Sequence, residues 1–260
     1  MRIAVLTKVV PRQAVALRID PSTNRLDRTG AAELSPGDQH AVEEALLIRE
    51  RLGDGEVVAL SMGPEDGAES LRAALAMGAD RAVIAADPAL AGSDLLGTSR
   101  VLAALVAREA PDLVILGSQS PDGGGAMLWA ALAERLGWPL LSGSRDVQVA
   151  DRAVRATRTV PDGELVLSAP LPCVVALSGA VNQPRYPSFR DVIAAKRREI
   201  ARVTATELGC SPADCGVAGA RTTVLRVAAA PATRKAGTVV ADDGHAAEWL
   251  LRFLGERGVA

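Results

Sequence analysis

Four short aliphatic runs constrain this chain more than any other feature. Residues 3–6, 57–60, 82–85 and 113–116 contain only Ala, Val, Ile and Leu. Runs this short and this apolar suit strands buried on both faces, as in a parallel sheet. Helical patterns lie between them, over about 38–52, 65–77 and 94–109, with Gly53 and Gly78 as stops for the first two and Ser93 or Asp94 as the cap of the third. Strand and helix alternate with roughly 25–30 residues per unit, which predicts parallel βαβ crossovers. The first 140 residues therefore read as an α/β fold with a doubly wound, mostly parallel sheet, and a fourth helix follows the 117–125 loop to about Leu136.

After Pro139 the rhythm changes. Segments 147–149, 154–159 and 165–167 carry strand character with tight turns such as Pro161-Asp162-Gly163, which predicts an antiparallel meander. Residues 173–177 are fully apolar and suit a strand returning to the main sheet. Residues 15–19 and 24–26, joined through Asp20-Pro21-Ser22-Thr23, read as a hairpin. A Gly/Ala/Pro-rich stretch from 209 to 236 and a last amphipathic helix near 246–254 have little capacity for a core of their own. The domain reading is thus 1–205 as the α/β domain and 206–260 as an extended C-terminal arm and helix lying across another surface.

Composition closes off several functions. Formal net charge is −2, so no global field draws nucleic acid or an anionic membrane. Aromatics are 2% of the chain, too few for a base-stacking platform. Three Cys without a CxxC, and two His, do not suggest a metal site, and reduced thiols in a cytoplasm are the simpler reading. No apolar stretch approaches the ~18 residues of a membrane span.

In a doubly wound sheet, ligands bind beyond the carboxyl ends of the strands. Four segments reach that edge: 7–11, 35–38, 61–64 and 117–125. Glycine-rich turns and helix N-termini favour anions such as phosphate. No loop holds a GxGxxG or GxxxxGK[ST] fingerprint, and 117–125 has no Lys, which disfavours triphosphate hydrolysis. His40 reads as a solvated helix residue. Glu43 and Glu44 are adjacent, point in different directions, and read as solvation and helix support. Nothing argues for a covalent or acid–base enzyme. The basic segment 185–202 combines Arg185, Arg190, Lys196, Arg197, Arg198 and Arg202 with Tyr186 and Phe189. It reads either as a solvated face or as a docking site for an acidic partner.

Seven pieces in order resemble the β subunit of electron transfer flavoproteins. They are the opening strand with its Lys-x-Val motif (Ile3 to Pro11), Ser35-Pro36 followed by Ala41-Val42-Glu43-Glu44-Ala45, the 71–81 segment from Leu71 to Arg81, Asp112 to Gln119, Asp162-Gly163-Glu164 with Pro170-Leu171-Pro172, Asn182-Gln183-Pro184-Arg185-Tyr186, and Lys235-Ala236-Gly237. The resemblance implies a Rossmann-like sheet of the adenine-nucleotide-binding type. It also implies an electron carrier, not an enzyme, paired with an α subunit that holds most of the FAD, while β holds an AMP. The pair would take electrons from a flavin-dependent dehydrogenase to a quinone reductase or another acceptor. The cofactor-binding residues it implies are Leu6, Ser35, Pro36, Gly37, Asp38, Met62, Gly117, Gln119, Ser120, Asp122, Gly123, Gly124 and Gly125. The partner-docking residues are Arg185, Tyr186, Phe189, Arg190, Lys196 and Arg197, with Phe189 as the anchor.

The departures from the family pattern mark a divergent member. The family's phosphate loop has an Asp-rich run followed by Asn-Gln-Thr-Gly, where this chain has Asp122-Gly123-Gly124-Gly125-Ala126-Met127-Leu128-Trp129. The polar side chains for a phosphate are gone, and Trp129 stands where a Gly approaches the ligand. Gln13 and Gly37 occupy places where the family puts aromatics beside the flavin. These changes predict a degenerate AMP site. A stand-alone adenine-nucleotide-binding domain and a silent scaffold subunit are the alternatives.

Overall fold

The computed structural model describes residues 1–12, 17–179, 181–211, 213–228 and 237–259. Its elements, in chain order, begin with β1 (Arg2–Leu6), β2 (Val9–Pro11), β3 (Arg18–Asp20), β4 (Arg25–Asp27), β5 (Ala32–Leu34), α1 (Pro36–Leu52) and β6 (Glu56–Met62). Next come α2 (Ala68–Met77), β7 (Arg81–Ala85), α3 (Leu95–Glu109), β8 (Leu113–Leu116), α4 (Leu128–Leu136), β9 (Leu140–Ala150), β10 (Ala153–Val160), β11 (Gly163–Pro170) and β12 (Cys173–Leu177). The last are α5 (Phe189–Arg197), β13 (Ala201–Val203), α6 (Gly216–Gly219) and α7 (Ala246–Gly255).

The main sheet has nine strands in the order β11-β10-β9-β12-β8-β1-β6-β7-β13. Pairing is parallel from β9 to β13 and antiparallel across β9, β10 and β11, so the meander extends one edge of the parallel sheet. The aliphatic runs are the central strands, as expected from their burial on both faces. In β1, Ile3 and Val5 join one apolar layer with α1 and α2, while Ala4 and Leu6 join the other with α3 and α4. Full burial of each such Ile, Leu or Val contributes about 1.5–3 kcal/mol.

Local chemistry sets the helix ends. Gly53 closes α1 in the left-handed region at φ 74°, where its N–H reaches the Arg49 and Glu50 carbonyls. Asp94 caps α3 by accepting from the Gly97 N–H at 2.9 Å.

The structure departs from the sequence reading in three places. The helix expected over 65–77 starts as a 3-10 turn at Glu65–Gly67 and becomes α-helical only at Ala68. The hairpin is Arg18–Asp20 against Arg25–Asp27; Val15 and Ala16 lie outside the described residues. A small pair, Val9–Pro11 against Ala32–Leu34, and the edge strand Ala201–Val203 were not foreseen. By compactness the chain has two units, Met1–Leu225 and Arg226–Ala260. Cys210 and Cys215 join the second apolar layer, and Asp94 Oδ2 accepts from the Arg221 and Thr222 N–H groups at 2.7 and 3.0 Å, so that stretch belongs to the first unit. In the second unit, α7 stacks Trp249 on Phe253, with the Arg257 guanidinium 3.6 Å from the Phe253 centroid. No helix among the described residues is long and apolar enough to cross a membrane.

Candidate functional site

The chain runs outward from β1 through β6 to β7, then crosses back to place β8 on the other side of β1. The carboxyl ends of β1 and β8 therefore flank a topological switch point, where open α/β sheets form their ligand crevice. Three predicted segments converge there. Lys8 follows β1, Ser35 to Asp38 lead into α1, and Gly117 to Gly125 follow β8.

Asp38 is the bolt of this junction. Its Oδ2 accepts from the Lys8 backbone N–H at 2.8 Å, and its carboxyl also accepts from the Gly117 N–H. Burial pushes the carboxyl up to about 7, against those N–H groups, which favour the ionised form. Asp38 thus ties three loops together and faces inward. Ser35 and Leu6 are also buried. Pro36, Gly37 and Met62 are half-buried. Gly37 packs tightly on the opposite loop, because a Cβ on Gly117 would stand 3.0 Å from the Gly37 carbonyl carbon. Gln13 lies outside the described residues.

The 117–125 loop carries the charge. Asp122 receives Lys8 Nζ on Oδ1 at 2.8 Å and Arg28 Nε on Oδ2 at 2.7 Å. Lys8 also donates to Ser120 Oγ at 3.1 Å. Burial alone would raise the Asp122 carboxyl, but the hydrogen bonds and charges of Lys8 and Arg28 outweigh it and hold it down to about 2. Gln119 and the three glycines 123–125 are exposed. Asp122 already engages both nearby cations, so an anion approaching this loop competes with a fixed carboxylate, although the trio keeps one net positive charge. Lys8 and Arg28 were not singled out from sequence. Lys8 lies two residues past a buried strand, in a Lys-x-Val motif, which was a usable signal. Arg28 lies 94 positions from Asp122 and gave none.

One strand further along, a cleft of about 360 Å³ opens among Ser118, Trp129, Ser142, Arg158, Thr159 and Ser178. The Trp129 indole N–H donates to the Ser118 carbonyl at 3.1 Å, so the ring forms a fixed wall. Arg158 donates to both the carbonyl and the hydroxyl of Ser142.

The predicted docking residues gather on one face, with one exception. Tyr186 and Phe189 are 97% and 81% exposed, which is far beyond what lone surface apolar residues need for packing. Arg190, Lys196 and Arg197 are exposed beside them on α5, and Val192 and Ile193 extend the apolar stripe. Arg185 instead turns inward. It donates from Nε and Nη2 to the two oxygens of Glu43 at 2.8 and 2.9 Å, and from Nη1 to Glu50 at 2.7 Å. These ion pairs drive its guanidinium still further above the ordinary arginine range.

The reading of Glu43 and Glu44 as solvated helix support is corrected here. Both are buried, at 4% and 6% exposure. Glu44 accepts from Asn182 Nδ2 at 3.0 Å and from Arg51 at 3.2 Å. His40 is likewise not a free solvated residue: its Nδ1 lies 3.0 Å from Asn182 Oδ1, and its carbonyl accepts from Asn182 Nδ2 at 3.1 Å. Adjacent carboxylates stay buried because a distant segment brings donors to both.

Comparison with known proteins places this geometry. The Electron transfer flavoprotein domain family matches residues 23–208. The "Electron transfer flavoprotein subunit beta" of Mycobacterium tuberculosis is 38% identical over 258 residues, 97% of each chain. The "Caffeyl-CoA reductase-Etf complex subunit CarD" of Acetobacterium woodii is 36% identical over 89% of each. "Protein FixA" of Azorhizobium caulinodans is 37% identical, covering 92% of this chain and 88% of its own.

Proposed function

The chain belongs to the electron transfer flavoprotein β-subunit family, and from that premise we propose that it pairs with an α subunit in a cytoplasmic electron carrier. FAD sits mainly in α and supplies the redox chemistry. This chain contributes the crevice wall at β1 and β8 and the docking face around Phe189. A flavin-dependent dehydrogenase delivers electrons, and a quinone reductase or another acceptor takes them. The observation that carries the docking role is the exposure of Tyr186 and Phe189 beside Arg190, Lys196 and Arg197. Aromatic anchors with basic neighbours are the residues that dominate binding at protein interfaces.

AMP fits this crevice poorly. Its phosphate would need to displace or sit against the Asp122 carboxylate, and loop 123–128 offers no polar side chain to replace Lys8 and Arg28. We therefore propose a degenerate, weakened AMP site, and the nucleotide inventory of the purified complex decides whether AMP is retained.

The test is to co-purify the chain with its α subunit, denature the complex, and quantify the released nucleotides. One FAD per heterodimer, with reduction by a flavin dehydrogenase, is the expected result. A complex without flavin would overturn the proposal.

A further inference from the structure

Segment 182–185 is strapped to α1 by seven hydrogen bonds. Asn182 exchanges bonds with His40 and Glu44, and Arg185 donates from its backbone N–H, Nε and Nη2 to Glu43 and from Nη1 to Glu50. The next residue, Tyr186, is almost fully exposed. The far end of the exposed stretch is tied as well. Arg72 donates to the Ala195 and Arg198 carbonyls, Arg198 donates to the Ala79 and Asp80 carbonyls, and β13 pairs with β7. The first turn of α1 carries Asp38, which receives the Lys8 and Gly117 N–H groups at the crevice. A single helix thus spans crevice and strap. Asp38 and Glu43 are about 7.5 Å apart along its axis at 1.5 Å per residue.

We infer that Glu43 and Glu44 are positioning residues: through Arg185 and Asn182 they fix where the exposed stretch of Tyr186 and Phe189 leaves α1. This rests on the reading that residues 186–197 dock the electron donor. A docking segment held in its bound form costs less order on binding than a loose one. Loss of the strap therefore weakens donor recognition and leaves the flavin untouched. The buried carboxylates are the right device, since bidentate Arg–carboxylate pairs fix orientation as well as distance.

The experiment uses the purified heterodimer with Glu43→Gln, Glu44→Gln and, as a milder cut that keeps the Arg185 pair, Asn182→Ala. Hydrogen exchange of amides 182–198 and steady-state kinetics with the donor dehydrogenase are measured on each. The expected result is faster exchange confined to that stretch and a KM for donor raised about tenfold, with kcat, flavin content and the flavin spectrum within twofold of the parent. Unchanged exchange in the folded variants overturns the positioning role. Faster exchange with an unchanged KM overturns the docking reading instead, and Phe189→Ala would then also leave KM unchanged. If the two Glu variants do not fold, Asn182→Ala alone decides between these outcomes.

Discussion

Lys8 Nζ lies 2.8 Å from Asp122 Oδ1, and this pair closes the charge account of the crevice across 114 positions of sequence. With Arg28 on the other oxygen, the carboxylate of the loop after β8 is paired with cations from two other segments. Heterodimer purified from cells should accordingly release FAD without a stoichiometric AMP. Calorimetric titration of AMP into the complex should show no binding in the micromolar range. One AMP per chain in the released nucleotides would mean that backbone N–H groups suffice.

The buried carboxyl of Asp38 makes stability pH-dependent. Its folded value of about 7 lies above the ordinary 3.8, so the folded state holds the proton more tightly than the unfolded chain. That contribution is fully present below pH ~4, is lost as pH rises towards 7, and is flat above. Asp38→Asn should remove this slope from denaturant unfolding measured across pH 4–8. It should also cost about 1–3 kcal/mol, because one of the Lys8 and Gly117 N–H groups loses its acceptor. A parent slope of opposite sign in that window, after subtraction of the variant, would refute the assignment.

Phe189, 81% exposed, is the proposed anchor. Phe189→Ala should lower kcat/KM with the donor dehydrogenase by roughly 30-fold, the size of a loss of about 2 kcal/mol at an interface hot spot. Flavin content and thermal stability should not change, because the ring packs on little of its own chain. Stopped-flow reduction of the flavin by the donor is the readout, and unchanged rates would sink the anchor role.

Gly117 is confined by backbone. A Cβ there would stand 2.9 Å from Asp38 Oδ1 and 3.0 Å from the Gly37 carbonyl carbon. Gly117→Ala must push the first turn of α1 away from the loop, at a cost of about 1–3 kcal/mol. Gly125→Ala is the control, since its nearest neighbour would be Leu95 Cδ1 at 3.7 Å. Urea midpoints for the two variants should separate clearly; equal midpoints would count against the close approach.

The legible parts of the fold are those whose residues face apolar layers on both sides. β1, β6, β7, β8 and β12 announce themselves as unbroken aliphatic runs for that reason. β13 was hidden because only Val203 of its three residues is buried, and its partner β7 lies far back in the chain. β2 contains Pro11, which reads against a strand and is tolerated in a short edge pair. At the site, the loops at the sheet's carboxyl edge were legible from topology. The ion pairs within them were not, because each joins residues far apart in the sequence. Glu43 and Glu44 show this most plainly: nothing within α1 says that Asn182 and Arg185 will arrive to bury them.

Tethering the docking stretch at both ends has an evolutionary consequence. Between the clasp at Arg185 and the splice of β13 onto β7, the exposed face of residues 186–197 lies outside the sheet's register. If the proposed docking role holds, substitutions on that face would retune which donor is accepted while the framework continues to fold unaltered. The stretch would then behave as an exchangeable cartridge, and swapping it between relatives would exchange donors.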